Sequence, residues 1–329
     1  MARAEVCCIH FTSSSTALTD LARHELNEEA VALLTTALSA LVDAAQVFPS
    51  IIKTDLHACI LHMFANILGT GSCQATVVPQ ALPILKRFVT SISQQAEPGS
   101  DTSTQLRATL TRFLQILKHA QNRDFDAALA CEKNTILTIT ILLSSAASTF
   151  TANDPLVKRF IDELFDCLGS RMTSKVAAGC CRSLLLLPKK GAFEQSLAIQ
   201  ILPQTLTFLA NPSPVEGLEE SQSTPAHSLV AFLSTLPQPD QRQVACKIVV
   251  PALLSRARKE PNARSETAAR LLEIAGVDQA GFRGVVAGLD VEERAFMEGV
   301  LKSGQGGVRK VVREDSGEPT IALKMNFGV

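Results

Sequence analysis

The sequence predicts an all-α superhelix, a solenoid of about 13–14 stacked helices with an extended C-terminal tail. Three observations predict it. One pattern occurs three times: aliphatics, a proline, then more aliphatics at helical spacing. It reads Val77-Val78-Pro79-Gln80-Ala81-Leu82, Gln200-Ile201-Leu202-Pro203-Gln204-Thr205-Leu206 and Ile248-Val249-Val250-Pro251-Ala252-Leu253-Leu254. A proline inside a helix costs roughly 3 kcal/mol, so three in one apolar context mark a recurring unit. Aromatics are only 5% of residues, all Phe, with no Trp or Tyr. Small aliphatics suit closely stacked helices, whereas sheets are richer in aromatic and β-branched residues. The 329 residues also suffice for about seven helix pairs.

In chain order, residues 1–26 hold a possible short helix. Its apolar Val6, Cys7, Cys8, Ile9 and Phe11 lack a polar cap, so the segment is expected to continue a missing repeat. Asn27 has the chemistry of an N-cap, and Glu28 and Glu29 follow where the helix dipole favours acids. That helix is expected to reach Phe48, with Val31, Leu34, Leu38, Leu41 and Val42 on one face. Thr54 or Asp55 caps the next, which carries Leu56, Ile60, Met63, Phe64 and Ile67 and stops at Gly69. The connector Gly69-Thr70-Gly71-Ser72 is short, so its neighbours are expected to pack antiparallel. A proline-bearing helix follows over about 75–94, then the loop and cap Pro98-Gly99-Ser100-Asp101 and a helix to about Ala120.

Residues 124–150 stay helical in pattern for longer than one helix of such a hairpin. Asp154-Pro155 joins a cap to a first-turn proline and starts a helix ending near Gly169; another spans about 174–187. The second proline-bearing helix, about 193–210, leads into an acidic connector with Glu216, Glu219 and Glu220, which is either a solvated loop or a dock for a basic partner. A helix over about 225–236 precedes the third proline-bearing helix, which ends near Lys259. Three shorter helices follow near 263–275, 278–288 and 291–303, the last with a capping box from Asp290 and Glu293. The solenoid thus spans 27–303 and the tail 304–329.

The proline spacings fit the HEAT period of about 40–47 residues, making the expected architecture HEAT/armadillo-like. If all three prolines occupy equivalent helices, five helices must separate the first two proline-bearing ones, and only four are evident. The equivalence therefore predicts a helix break near Glu132-Lys133-Asn134.

Little chemistry is written in the chain. The formal net charge of -1 supplies no global field for nucleic acid or an anionic membrane. The nine Cys include the adjacent pairs Cys7-Cys8 and Cys180-Cys181 but no C-x-x-C, and read as reduced, small hydrophobes. Residues 134–153 carry no charge and are long enough to span a bilayer, yet their many Ser and Thr favour a buried solenoid helix. Gly69-Thr70-Gly71-Ser72 lacks the Lys of a phosphate loop. His57 and His62 are five apart, about 140° round a helix, so they cannot share a metal, and a Cys59, His62, Cys73 site would need unspecified convergence. No catalytic residue, cofactor or metal is expected, and the protein is expected not to be an enzyme.

Partner-binding candidates lie in the tail. Arg309, Lys310 and Arg313 are basic, and Ile321, Leu323, Met325 and Phe327 alternate with smaller or polar residues, a period of two that suits an extended strand. Three placements suit it: along the solenoid, on a partner as a linear motif, or as a disordered end.

The run Ile67-Leu68-Gly69-Thr70-Gly71-Ser72-Cys73-Gln74-Ala75, then Val77-Val78-Pro79-Gln80-Ala81-Leu82-Pro83-Ile84, resembles the C-terminal region of a family of very large HEAT-repeat proteins. They are the fungal accessory proteins of clathrin adaptor complex one, similar to animal HEAT repeat-containing protein five. Glu293-Arg294-Ala295-Phe296-Met297-Glu298 and Ile321-Ala322-Leu323-Lys324-Met325-Asn326-Phe327 resemble that family's C-terminus. The resemblance implies a fragment or short form of a much longer protein. It implies a non-enzymatic scaffold, cytoplasmic and peripheral at Golgi and endosomal membranes through its partners, that helps hold the adaptor complex there. A nuclear-transport or chromatin scaffold, or a regulatory subunit of an enzyme complex, are the alternatives on the same architecture; the first of these predicts an acidic inner surface, at odds with the near-zero net charge.

Overall fold

The computed structural model describes residues 27–47, 50–94, 99–121, 126–151, 153–187, 197–211 and 219–311. These are helical, with no strand among the described residues. The helices fall into two compact units, Met1–Thr235 and Leu236–Val329.

The first unit holds α1 (Glu28–Val47), α2 (Ser50–Gly69), α3 (Val77–Ser93), α4 (Asp101–Gln121), α5 (Asp126–Ser145), α6 (Pro155–Leu168), α7 (Ser174–Leu185), α8 (Ala198–Ala210) and α9 (Glu219–Thr235). The odd-numbered helices pack successively on one another, and so do the even-numbered ones. Two layers result, so this is an all-α helical-repeat solenoid. Local chemistry starts the helices as expected: the Asn27 side chain accepts from Ala30 N at 2.8 Å, and Asp154 accepts from Leu156 N at 2.9 Å.

The central helix is α5, which packs on α2, α3, α4 and α7. Ile136, Ile139, Leu142 and Leu143 are completely buried, and each such side chain contributes about 1.5–3 kcal/mol. Its threonines solve their own polarity: Thr135, Thr138 and Thr140 donate to the backbone oxygens of Cys131, Asn134 and Ile136 at 2.6, 2.7 and 2.8 Å. By length and composition Glu28–Val47 and Ala127–Ser145 are apolar enough to cross a membrane. In the folded chain α5 is the core helix of the stack.

The expected break near Glu132–Asn134 is absent: α5 runs unbroken through it. Asn134 instead reaches outward, donating to the backbone and side-chain oxygens of Gln74 at 2.9 and 3.0 Å. Proline equivalence fails with it, because Pro79 lies in α3 of the odd layer and Pro203 in α8 of the even layer. The three prolines also differ in their place along the helix. Pro79 occupies the first turn of α3, where its missing N–H breaks no bond, while Pro83, Pro203, Pro225 and Pro251 are interior.

Three boundaries also differ. The second helix starts at Ser50 rather than at a Thr54 or Asp55 cap, and α9 starts at Glu219, which puts Glu219 and Glu220 in a helix while Glu216 lies outside the described residues. The last helix continues past Ser303 to Val311. Its interior glycines weaken a helix by about 1 kcal/mol each without terminating it.

The second unit holds α10 (Pro239–Lys259), α11 (Arg264–Val277), α12 (Gln279–Gly288) and α13 (Val291–Val311). Within it α10 packs on α12 and α11 on α13, and α11 also contacts α10 and α12. Asp278 caps α12 through Gly281 N at 2.9 Å, and Asp290 caps α13 through Glu293 N at 2.7 Å.

Candidate partner-binding surface

The residues weighed for metal or nucleophilic chemistry are parted by the helices that carry them. His57 is buried with its ring edge against Phe88 of α3, 5.5 Å between centroids. His62 instead meets Arg112 of α4, whose two terminal nitrogens lie 2.5 Å from His62 Nδ1 and 2.6 Å from Asn66 Oδ1. Burial, then the Arg112 charge, lowers the His62 pKa from its usual value. Among the described residues no three His, Cys, Asp or Glu converge as a metal would need.

Five of the described thiols are shifted away from their reactive form. Burial pushes Cys73, Cys180 and Cys246 up to about 11, and Cys167 and Cys181 up to about 12. The thiolate is the reactive form, so these five behave as core side chains. The concavity between α2, α3 and α5, lined by Phe64, Ile67, Leu68, Val78, Ala81, Leu82, Leu85 and Thr138, has a volume of about 10 Å³. That is room for about one water.

What the first unit offers instead is a polar register between successive helices of each layer. Arg87 of α3 pairs with Asp43 of α1 at 3.0 Å and donates to Ser39, 48 residues away, also at 3.0 Å. Arg112 spans 46 residues to Asn66, Arg107 spans 47 to the buried carboxylate of Asp154, and Gln204 spans 42 to Asp162. These spans of 42–48 residues lie close to the period of about 40–47 that the proline spacings fit.

In the second unit the exposed large apolar side chains among the described residues are Val244 and Ile248 on α10, Leu272 on α11 and Val291 on α13. Val244 and Ile248, one turn apart, are 58% and 47% exposed, with Lys247 beside them. The same helix buries Ala245, Cys246, Val249, Val250, Leu253 and Leu254 on another face. Their signal was present in the sequence: α10 is apolar over a wider arc than one packing face requires.

Of the tail residues expected to bind partners, Arg309 and Lys310 fall on the last turn of the α13 backbone, their side chains outside the described part. Arg313, Ile321, Leu323, Met325 and Phe327 lie outside the described residues, as does the segment 1–26.

Residues 153–314, just under half of the chain, match a family model described as LAA1-like, C-terminal TPR repeats. The similarity runs from the Asp154 cap of α6 to just past the end of α13. The description gives the repeats as TPR, where proline spacing pointed to HEAT; both are stacked helical hairpins. Comparison with curated proteins finds no match.

Proposed function

We propose that this chain is a non-enzymatic helical-repeat scaffold that binds proteins in clathrin-adaptor-dependent traffic between the trans-Golgi network and endosomes. The observation that carries the reading is the similarity of residues 153–314 to LAA1-like C-terminal repeats. It coincides with helices that pack successively within each unit, an architecture whose outer faces commonly serve to bind other proteins. On this reading the chain acts on the cytoplasmic side and meets Golgi and endosomal membranes only through partners such as clathrin adaptor complex one. Arg309, Lys310, Arg313, Ile321, Leu323, Met325 and Phe327 contribute a linear binding element, and the proposal needs neither cofactor nor metal.

Affinity capture of the tagged full chain from cells, followed by mass spectrometry, tests it. Subunits of adaptor complex one are the expected recovery. Abundant nuclear-transport or phosphatase subunits without adaptor subunits would overturn it. Removing Pro319–Val329 is expected to lose the captured partners while leaving the melting temperature unchanged.

A further inference from the structure

The second unit contains three neighbouring arginines whose charges are unequally met. Arg256, only 3% exposed, sits near the end of α10 and takes both nearby carboxylates: its Nε lies 3.2 Å from Glu260 and its Nη2 3.1 Å from Glu266. Arg258, the penultimate residue of α10, and Arg264, the first residue of α11, are both exposed. Their guanidiniums lie over the same ring, that of Phe296 on α13, at 5.0 and 5.6 Å from its centroid. Among the described residues no carboxylate forms an ion pair with either one, including Glu292 and Glu293 on the preceding turn of α13.

A guanidinium resting on an aromatic face is held in place through its π surface while its in-plane N–H groups stay free. Arg264 spends its Nε on the backbone oxygen of Ala257 at 3.4 Å, which leaves both terminal nitrogens as donors. Two oriented, charge-unmatched forks therefore share one ring. Acidic side chains on alternate residues of an extended segment stand roughly 7 Å apart, close enough for each to reach one fork.

We propose that Arg258, Phe296 and Arg264 form a docking site for an acidic linear segment of a partner protein, with each guanidinium donating to a carboxylate. The charge balance favours a peptide over a membrane: anionic lipid recognition draws on clusters of about 4–8 basic residues, and here Arg256 is already paired with Glu260 and Glu266, so that beside it stand Arg258, Lys259 and Arg264 in a chain of net charge -1. The proposal is independent of the trafficking reading and holds for any partner bearing such a segment.

The test uses the full chain and a fluorescein-labelled hexaglutamate peptide, with hexaglutamine as its neutral match, read by fluorescence anisotropy at about 50 mM salt. Binding is expected for the glutamate peptide alone. The double variant Arg258→Gln/Arg264→Gln should weaken it about tenfold or more, with an unchanged melting curve. Lys247→Gln/Lys302→Gln, which removes two exposed charges elsewhere in the unit, should change affinity less than about twofold. Arg264→Lys keeps the charge but not the planar fork and should also weaken binding. Equal weakening by both double variants, or no preference for glutamate over glutamine, would overturn the site. So would binding to mixed phosphatidylserine–phosphatidylcholine vesicles that is lost in the arginine double variant while hexaglutamate goes unbound.

Discussion

Asn134 donates both hydrogens of its side-chain amide to a single residue, Gln74, sixty positions earlier: one to its backbone oxygen at 2.9 Å and one to its side-chain oxygen at 3.0 Å. Gln74, 3% exposed, in turn donates to the backbone oxygens of Leu68 and Thr70. The turn between α2 and α3 is thereby fastened to the middle of α5.

Asn134→Ala should leave both Gln74 oxygens without that donor. The expected cost is about 1–3 kcal/mol, measured as a lower urea midpoint. A double-mutant cycle with Gln74→Ala should show strong coupling, and additive losses would mean the two residues act separately.

Asp154 serves two helices at once, capping α6 through Leu156 N and pairing with Arg107 of α4 while its own side chain is fully buried. Asp154→Ala should cost about 2 kcal/mol. Asp154→Asn keeps an acceptor for the cap and should lose less. Equal losses in thermal melts would show that the cap contributes nothing.

The fold lowers the pKa of His62, by burial and then by Arg112. Because the folded value is the lower one, the unfolded chain binds the proton more readily. The contribution of His62 is thus complete above the ordinary pKa of about 6.5 and is lost as pH falls below it. Urea midpoints between pH 7.5 and 5.5 should fall more in the native chain than in His62→Gln; parallel curves would show that folding does not lower the His62 pKa.

Two helical glycines should answer oppositely to alanine. At Gly299 an added Cβ meets nothing within 4 Å, so Gly299→Ala should gain about 0.5–1 kcal/mol from helix propensity. At Gly281 the Cβ comes within 2.4 Å of Asp278 Oδ2 and displaces the cap of α12. Gly281→Ala should fall below Gly299→Ala by at least about 1 kcal/mol in the same melting assay.

These residues also mark what the sequence discloses. The caps at Asn27, Asp154 and Asp290 were legible because the bond lies two or three residues away. The part played by Asn134 was not, since its partner is sixty residues distant and an Asn in that context reads equally well as a helix stop. Proline phase was misleading for a similar reason. A proline among aliphatics looks the same in the first turn of α3 as in the middle of α8, and the layer a helix joins is decided by packing across the chain. The stacking of Arg258 and Arg264 on Phe296 joins three different helices and left no trace in local spacing.

The register of polar pairs in the first unit has a mechanical side. Each pair links a helix to the next in its layer or to that helix's cap, as Arg87 does to Asp43 and Arg107 to Asp154. Tension applied along the stack would therefore load these junctions in series, and each would give way without releasing the others. Pulled end to end, the first unit should therefore lengthen in steps, which single-molecule force measurements would read as discrete extensions.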